Sequence, residues 1–97
     1  MKLITEITIY IKRGFLPHLT NEIYKRGFKL QRLTQIESNE ETDTFVIDIL
    51  YNNSDKFKGL IDKIVKHDNN FKIKSIKNPV EEKLLGGFLN VSGKMPL

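Results

Sequence analysis

Residues 44–51 read TFVIDILY and alternate without a slip. Phe45, Ile47, Ile49 and Tyr51 take one parity, and Asp48 takes the other. Period two with β-branched and aromatic content predicts a strand whose first set faces a core. Just before it, residues 38–43 (SNEETD) are polar and predict a turn. Before the turn, residues 28–37 (FKLQRLTQIE) place Phe28, Leu30 and Ile36 on one parity, which Leu33 breaks. That predicts a second strand with a bulge near Leu33, paired to the first as a hairpin.

Working outward, residues 55–67 carry Phe57, Leu60, Ile61 and Ile64 as an apolar stripe at helical spacing. Ser54 is the expected N-cap, and Asp55 suits the positive end of the helix dipole. Gly59 weakens this helix by about 1 kcal/mol relative to alanine. His67 and the Asp68-Asn69-Asn70 run are expected to end it, and residues 71–77 (FKIKSIK) alternate as another strand. On the other side, residues 15–26 (FLPHLTNEIYKR) bring Leu16, Leu19 and Ile23 to one helical face. Pro17 suits the first turn, Lys25 and Arg26 the last, and Gly27 a left-handed cap. Residues 3–11 (LITEITIYI) return to period two, with Leu3, Thr5, Ile7, Ile9 and Ile11 on one parity, until Lys12-Arg13-Gly14 breaks the strand.

The order is strand, helix, strand, strand, helix, strand. It predicts an α+β, ferredoxin-like βαββαβ fold: a four-stranded antiparallel sheet with two helices on one face. The uncovered face is expected to carry Ile4, Tyr10, Leu33, Val46, Leu50 and Ile76. So much apolar surface implies a cover, either a second copy or another domain. We place the domain at residues 1–77. Residues 78–97 form an extension toward a partner or catalytic domain, because Pro79 opposes a continued strand while Leu84, Leu85, Phe88, Leu89 and Val91 are too apolar for a disordered tail. The last residues, Met95-Pro96-Leu97, read as cut from a longer protein or built to dock.

A chain of 97 residues has room for one domain and too little for a walled active site. With 39% hydrophobic and 29% charged residues it has enough for a core. The absence of cysteine excludes disulfides and thiolate metal sites, and His18 and His67 are too few for an all-histidine site. The net charge of +4 falls unevenly: seven residues of each sign in 1–50, nine positive against five negative in 51–97. Surface lysines that aid solubility account for this. Neither a signal peptide nor a run of 18 apolar residues is present, which makes the cytoplasm the default and leaves no membrane partner.

No catalytic set assembles, and the phosphate-loop patterns are missing. Gly86-Gly87 reads as a turn, and Glu40-Glu41 and Glu81-Glu82 as solvated pairs. His18 is expected at the surface or an interface. Lys12-Arg13-Gly14 lacks the glycine pattern of an acylphosphatase anion loop. Asp48 and the absence of a basic, glycine-containing start to residues 44–51 disfavour RNA recognition on the sheet. What remains is the turn at Gly14. There the backbone can come close to a ligand, and the following helix start offers N–H groups suited to a carboxylate, less the one that Pro17 removes.

Gly14-Phe15-Leu16, followed after thirteen residues by Gly27 in Arg26-Gly27-Phe28-Lys29-Leu30, resembles the ACT domain family, whose pattern is a glycine, any residue and a leucine opening the first helix. The same stretch is similar to the small subunit of acetolactate synthase. Residues 85–97, LGGFLNVSGKMPL, resemble the segment that joins the N-terminal ACT domain of bacterial and archaeal NAD-dependent malic enzymes to their catalytic part. Ile11, Arg13 and Lys29 stand where the ACT pattern usually has an acidic or amide residue, a proline and an asparagine. The resemblance implies a non-catalytic regulatory domain that binds an amino acid or other small carboxylate between two copies. It implies a homodimer or homo-oligomer and an attached or partner oxidoreductase, with no cofactor in this chain. The implied ligand-binding residues are Arg13, Gly14, Phe15, Leu16, Lys29 and Leu30. Two other readings stay open: a structural dimerisation module without ligand, and a free-standing regulatory subunit.

Overall fold

The computed structural model describes residues 2–66 and 69–81. His67 and the extension from residue 82 onward, with the resemblance at 85–97, lie outside the described residues. The element order is β1 (Leu3–Lys12), α1 (Leu16–Lys25), β2 (Lys29–Ser38), β3 (Thr42–Tyr51), α2 (Ser54–Lys66), β4 (Phe71–Ile76) and β5 (Val80–Glu81). The ladders are antiparallel in the order β2-β3-β1-β4. This is the expected ferredoxin-like layout. The fifth strand was not expected. Pro79 ends β4 only locally, and Val80 and Glu81 pair with Ile4 and Leu3 on the edge of β1 that β4 has left. The sheet therefore runs beyond residue 77.

The core lies between the sheet and the helices. Ile7, Ile9 and Ile11 from β1 meet Ile47 and Ile49 from β3, Leu19 and Ile23 from α1, and Leu60 and Ile64 from α2. Full burial of each such side chain contributes roughly 1.5–3 kcal/mol. Phe28, Tyr51 and Phe57 close one end of this core, Tyr51 stacked on Phe57 at 4.0 Å between ring centroids and Phe28 edge-on to both. Thr5 is buried beside them, and its hydroxyl shares a 2.8 Å hydrogen bond with that of Tyr51.

The helix ends follow their sequence signals with one correction. Gly27 has φ +84, its N–H donates to the Tyr24 carbonyl, and the Phe28 N–H donates to the Ile23 carbonyl. These are the two bonds of a Schellman stop. At α2 the cap is Asn53 rather than Ser54: the Asn53 side-chain oxygen accepts from the Lys56 N–H at 3.0 Å. Ser54 is already the first helical residue.

Bulges correct the expected uncovered face. Residues directly opposite one another share a face, and each inserted residue reverses the parity beyond it. In β2, Leu30 stands opposite Ile49 and Arg32 opposite Asp48, so Gln31 is extra; a second shift falls at Ile36. Leu33 thereby comes opposite Ile47, on the helix side. In β4 the shift at Lys74 brings Ile76 opposite Ile7, also on the helix side. Ile4, Tyr10, Val46 and Leu50 keep their expected face. They share it with an ion-pair ladder: Arg32 meets Asp48 at 2.8 Å and Glu6 at 3.6 Å, and Lys77 meets Glu6 at 3.1 Å. This face is mixed rather than apolar.

Candidate functional site

Gly14 lies in the turn from β1 to α1. The Phe15 N–H donates to the Lys12 carbonyl at 3.0 Å, and Gly14 has φ +93. A positive φ at the third residue alone makes this a type II turn, which explains the glycine without any ligand. A Cβ placed at Gly14 would meet nothing within 4 Å, so the turn opens on free space.

Arg13 is occupied. Its guanidinium donates to Ser38 Oγ at 2.8 Å, to the Glu40 carbonyl at 3.2 Å and to the Asn39 carbonyl, and pairs with Asp43 at 3.3 Å. Its own N–H donates to the Glu41 carbonyl. It clamps the β2–β3 hairpin tip onto the Gly14 turn. Asp43 is held below the usual carboxylate range by the Ser38 hydroxyl first and by Arg13 second. Phe15, Leu16 and Leu30 pack partly buried against the core. Lys29 opens β2, whereas the Gly14 turn sits at the far end of the same strand, beside Ser38. Nine residue steps at ~3.3 Å separate these two groups by roughly 30 Å. One chain therefore brings together Arg13, Gly14, Phe15 and Leu16, and does not bring Lys29 and Leu30 to them.

The β2 end with Lys29 has its own concavity. Lys2, Arg26, Gly27, Phe28, Lys29, Leu50, Tyr51, Asn52 and Lys56 line a cleft of about 310 Å³. Nothing local in the sequence points to it, because its four cations are scattered over 55 positions and only the fold gathers them. Arg26 is held by Glu22, whose Oε1 accepts from Nε at 3.1 Å and also lies 3.6 Å from Lys63 Nζ. The Arg26 hydrogen bond, then Lys63, Arg26 and Lys25 as charges, lower the Glu22 pKa against a smaller opposing effect of burial.

Among the described residues, no group of three or more His, Asp or Glu side chains could hold a metal ion. No described helix is long and apolar enough to cross a membrane. His18 is exposed on α1, its ring stacked against Phe71 at 6.0 Å between centroids.

No known family matches the chain, and neither does any curated protein. Solved structures do. The ACT domain from a GTP pyrophosphokinase of Chlorobium tepidum is 18% identical with a TM-score of 0.60, over 82% of this chain and 100% of that one. The C-terminal domain of the MgtC protein from Mycobacterium tuberculosis is 9% identical with a TM-score of 0.55, over 82% of this chain and 89% of that one. A de novo designed protein, Foldit4, is 16% identical with a TM-score of 0.55, over 80% of this chain and 98% of that one. At these identities the likeness shows the fold. Because it extends to a designed protein, the fold by itself fixes no function.

Proposed function

We propose that this chain is a non-catalytic regulatory domain of the ACT type, which senses an amino acid or another small carboxylate between two copies of itself. One observation carries the reading: β2 is an edge of the sheet, with the Gly14 turn near one end and Lys29 and Leu30 at the other. A two-fold axis pairs like edges antiparallel. Lys29 and Leu30 of one copy then come beside the Gly14 turn of the other, and a separation of roughly 30 Å within a chain becomes proximity between chains. The edge also carries exposed apolar side chains, Leu33 at 40% and Ile36 at 54%, and Tyr24 on α1 is exposed at 59%. Its two bulges limit a continuous ladder, so the pairing rests on these side chains as well as on backbone hydrogen bonds. A ligand bridging the copies would favour one pairing and bias whatever each copy is attached to.

The finer attribution is to a malic-enzyme-like NAD-dependent oxidoreductase, and the resemblance of residues 85–97 supports it. A free-standing subunit like that of acetolactate synthase is the variant in which the partner is separate. A thermal-shift screen of the full chain with amino acids and dicarboxylates tests the sensor. A dose-dependent rise in melting temperature is expected from linkage, and it should vanish in Gly14→Val. No response to any of them contradicts sensing. A ligand-free dimerisation module is then the reading left, favoured already by a Gly14 turn that needs no ligand and an Arg13 already engaged.

A further inference from the structure

We infer that the cleft between the C-terminus of α1 and the start of α2 binds a small molecule carrying a diphosphate group. It is complete within one chain, so this inference stands apart from the pairing of copies.

Uncompensated positive charge gathers there in a shaped space. Several cations elsewhere meet carboxylates: Arg13 meets Asp43, Arg32 meets Asp48 and Glu6, Lys77 meets Glu6, and Lys63 meets Glu22. Other described lysines, such as Lys58 and Lys66, also stand without an ion pair but are not gathered into this cleft. Lys2, Lys29 and Lys56 have no such partner among the described residues, yet they line one cleft with Arg26. No Asp or Glu lines that cleft. Like charges gathered in a concavity repel one another and focus a positive potential there. A ligand with one negative charge would leave most of that repulsion in place, whereas a diphosphate offsets it.

Shape and donors agree with this class. A volume of about 310 Å³ is at the small end of ligand sites. Phe28, Leu50 and Tyr51 line it and are nearly buried, which leaves the polar contacts to the other lining residues. Arg26 is aimed by the Glu22 bond to its Nε, and its terminal N–H groups have no other partner among the described residues. Those groups form the planar fork that suits phosphate oxygens, and the lysines add point charges around it.

The test is isothermal titration of the full chain with sodium pyrophosphate, ADP and citrate at low ionic strength. Pyrophosphate and ADP should bind, and their affinity should fall as salt is added. Lys56→Ala should weaken both about tenfold, as expected for the loss of one charged contact. Lys74→Ala removes the same charge from the other sheet edge and should change nothing. Ile36→Asp, which is expected to separate paired copies, should also leave pyrophosphate binding intact. Tighter binding of ADP than of pyrophosphate would support a nucleotide, and equal binding a free diphosphate. Equal loss in Lys56→Ala and Lys74→Ala, binding of citrate as tight as pyrophosphate, or no binding at millimolar pyrophosphate would each overturn the inference.

Discussion

The two ends of β2 are built from similar materials and closed differently. Each has an arginine beside a glycine with positive φ: Arg13 with Gly14, and Arg26 with Gly27. At the Gly14 end the arginine is consumed by the hairpin tip, and the charge is settled within the chain. At the Gly27 end Arg26 is held on one side only, and three lysines beside it lack partners among the described residues. The first end is a structural clamp with open space in front of it. The second is a surplus of positive charge around a cleft. An arginine next to a glycine thus indicates a ligand site only when its partners in the fold are known.

The largest expected effect that could break this comparison comes from the two glycines. A β-branched residue with φ near +90 costs about 1–3 kcal/mol, and neither site adds a steric clash, since a Cβ meets nothing within 4 Å at either. Gly14→Val and Gly27→Val should therefore lose similar stability in chemical denaturation. A cost at only one of them would show that the two turns are not held alike. A smaller effect is expected at Asn53, which caps α2 beside the cleft: Asn53→Ala should lose about 1 kcal/mol, and Ser54→Ala much less. The reverse ranking would return the cap to Ser54.

The smallest effect concerns the clamp and appears in acid. Asp43 is held below the usual carboxylate range when folded, so its contribution is present above that range and is lost as pH falls through its folded pKa. Melting temperature should drop below about pH 4, and Asp43→Asn should flatten that drop. Near neutral pH, Arg13→Ala should cost little stability, because the guanidinium is solvent-exposed. An unchanged acid profile in Asp43→Asn would place the acid sensitivity elsewhere, with Glu22 the next candidate.

Much of the fold was legible because its signals are local. The alternation of residues 44–51, the spacing of Leu16, Leu19 and Ile23 with Pro17 and Gly27 around them, and the break at Leu33 each need only a few neighbours. A bulge near Leu33 is legible, but which residue is extra depends on the partner strand: the shift at Gln31 sends Leu33 to the helix side, and the one at Lys74 in β4 does the same for Ile76. β5 was missed because Pro79 looks like an end when read without the vacant edge of β1 beside it. The site was less legible, since its geometry depends on distant contacts. Arg13 finds Asp43 thirty residues on, and Lys2 reaches the same cleft as Lys56 only through the sheet.

The pairing of two copies along β2 is the claim on which the sensor reading rests, and sedimentation velocity of the full chain at micromolar concentration tests it most directly. The account predicts a species of twice the 11.3 kDa chain mass that becomes a folded monomer in Ile36→Asp. A wild-type chain that sediments as a monomer, or an Ile36→Asp variant that stays dimeric, would contradict it.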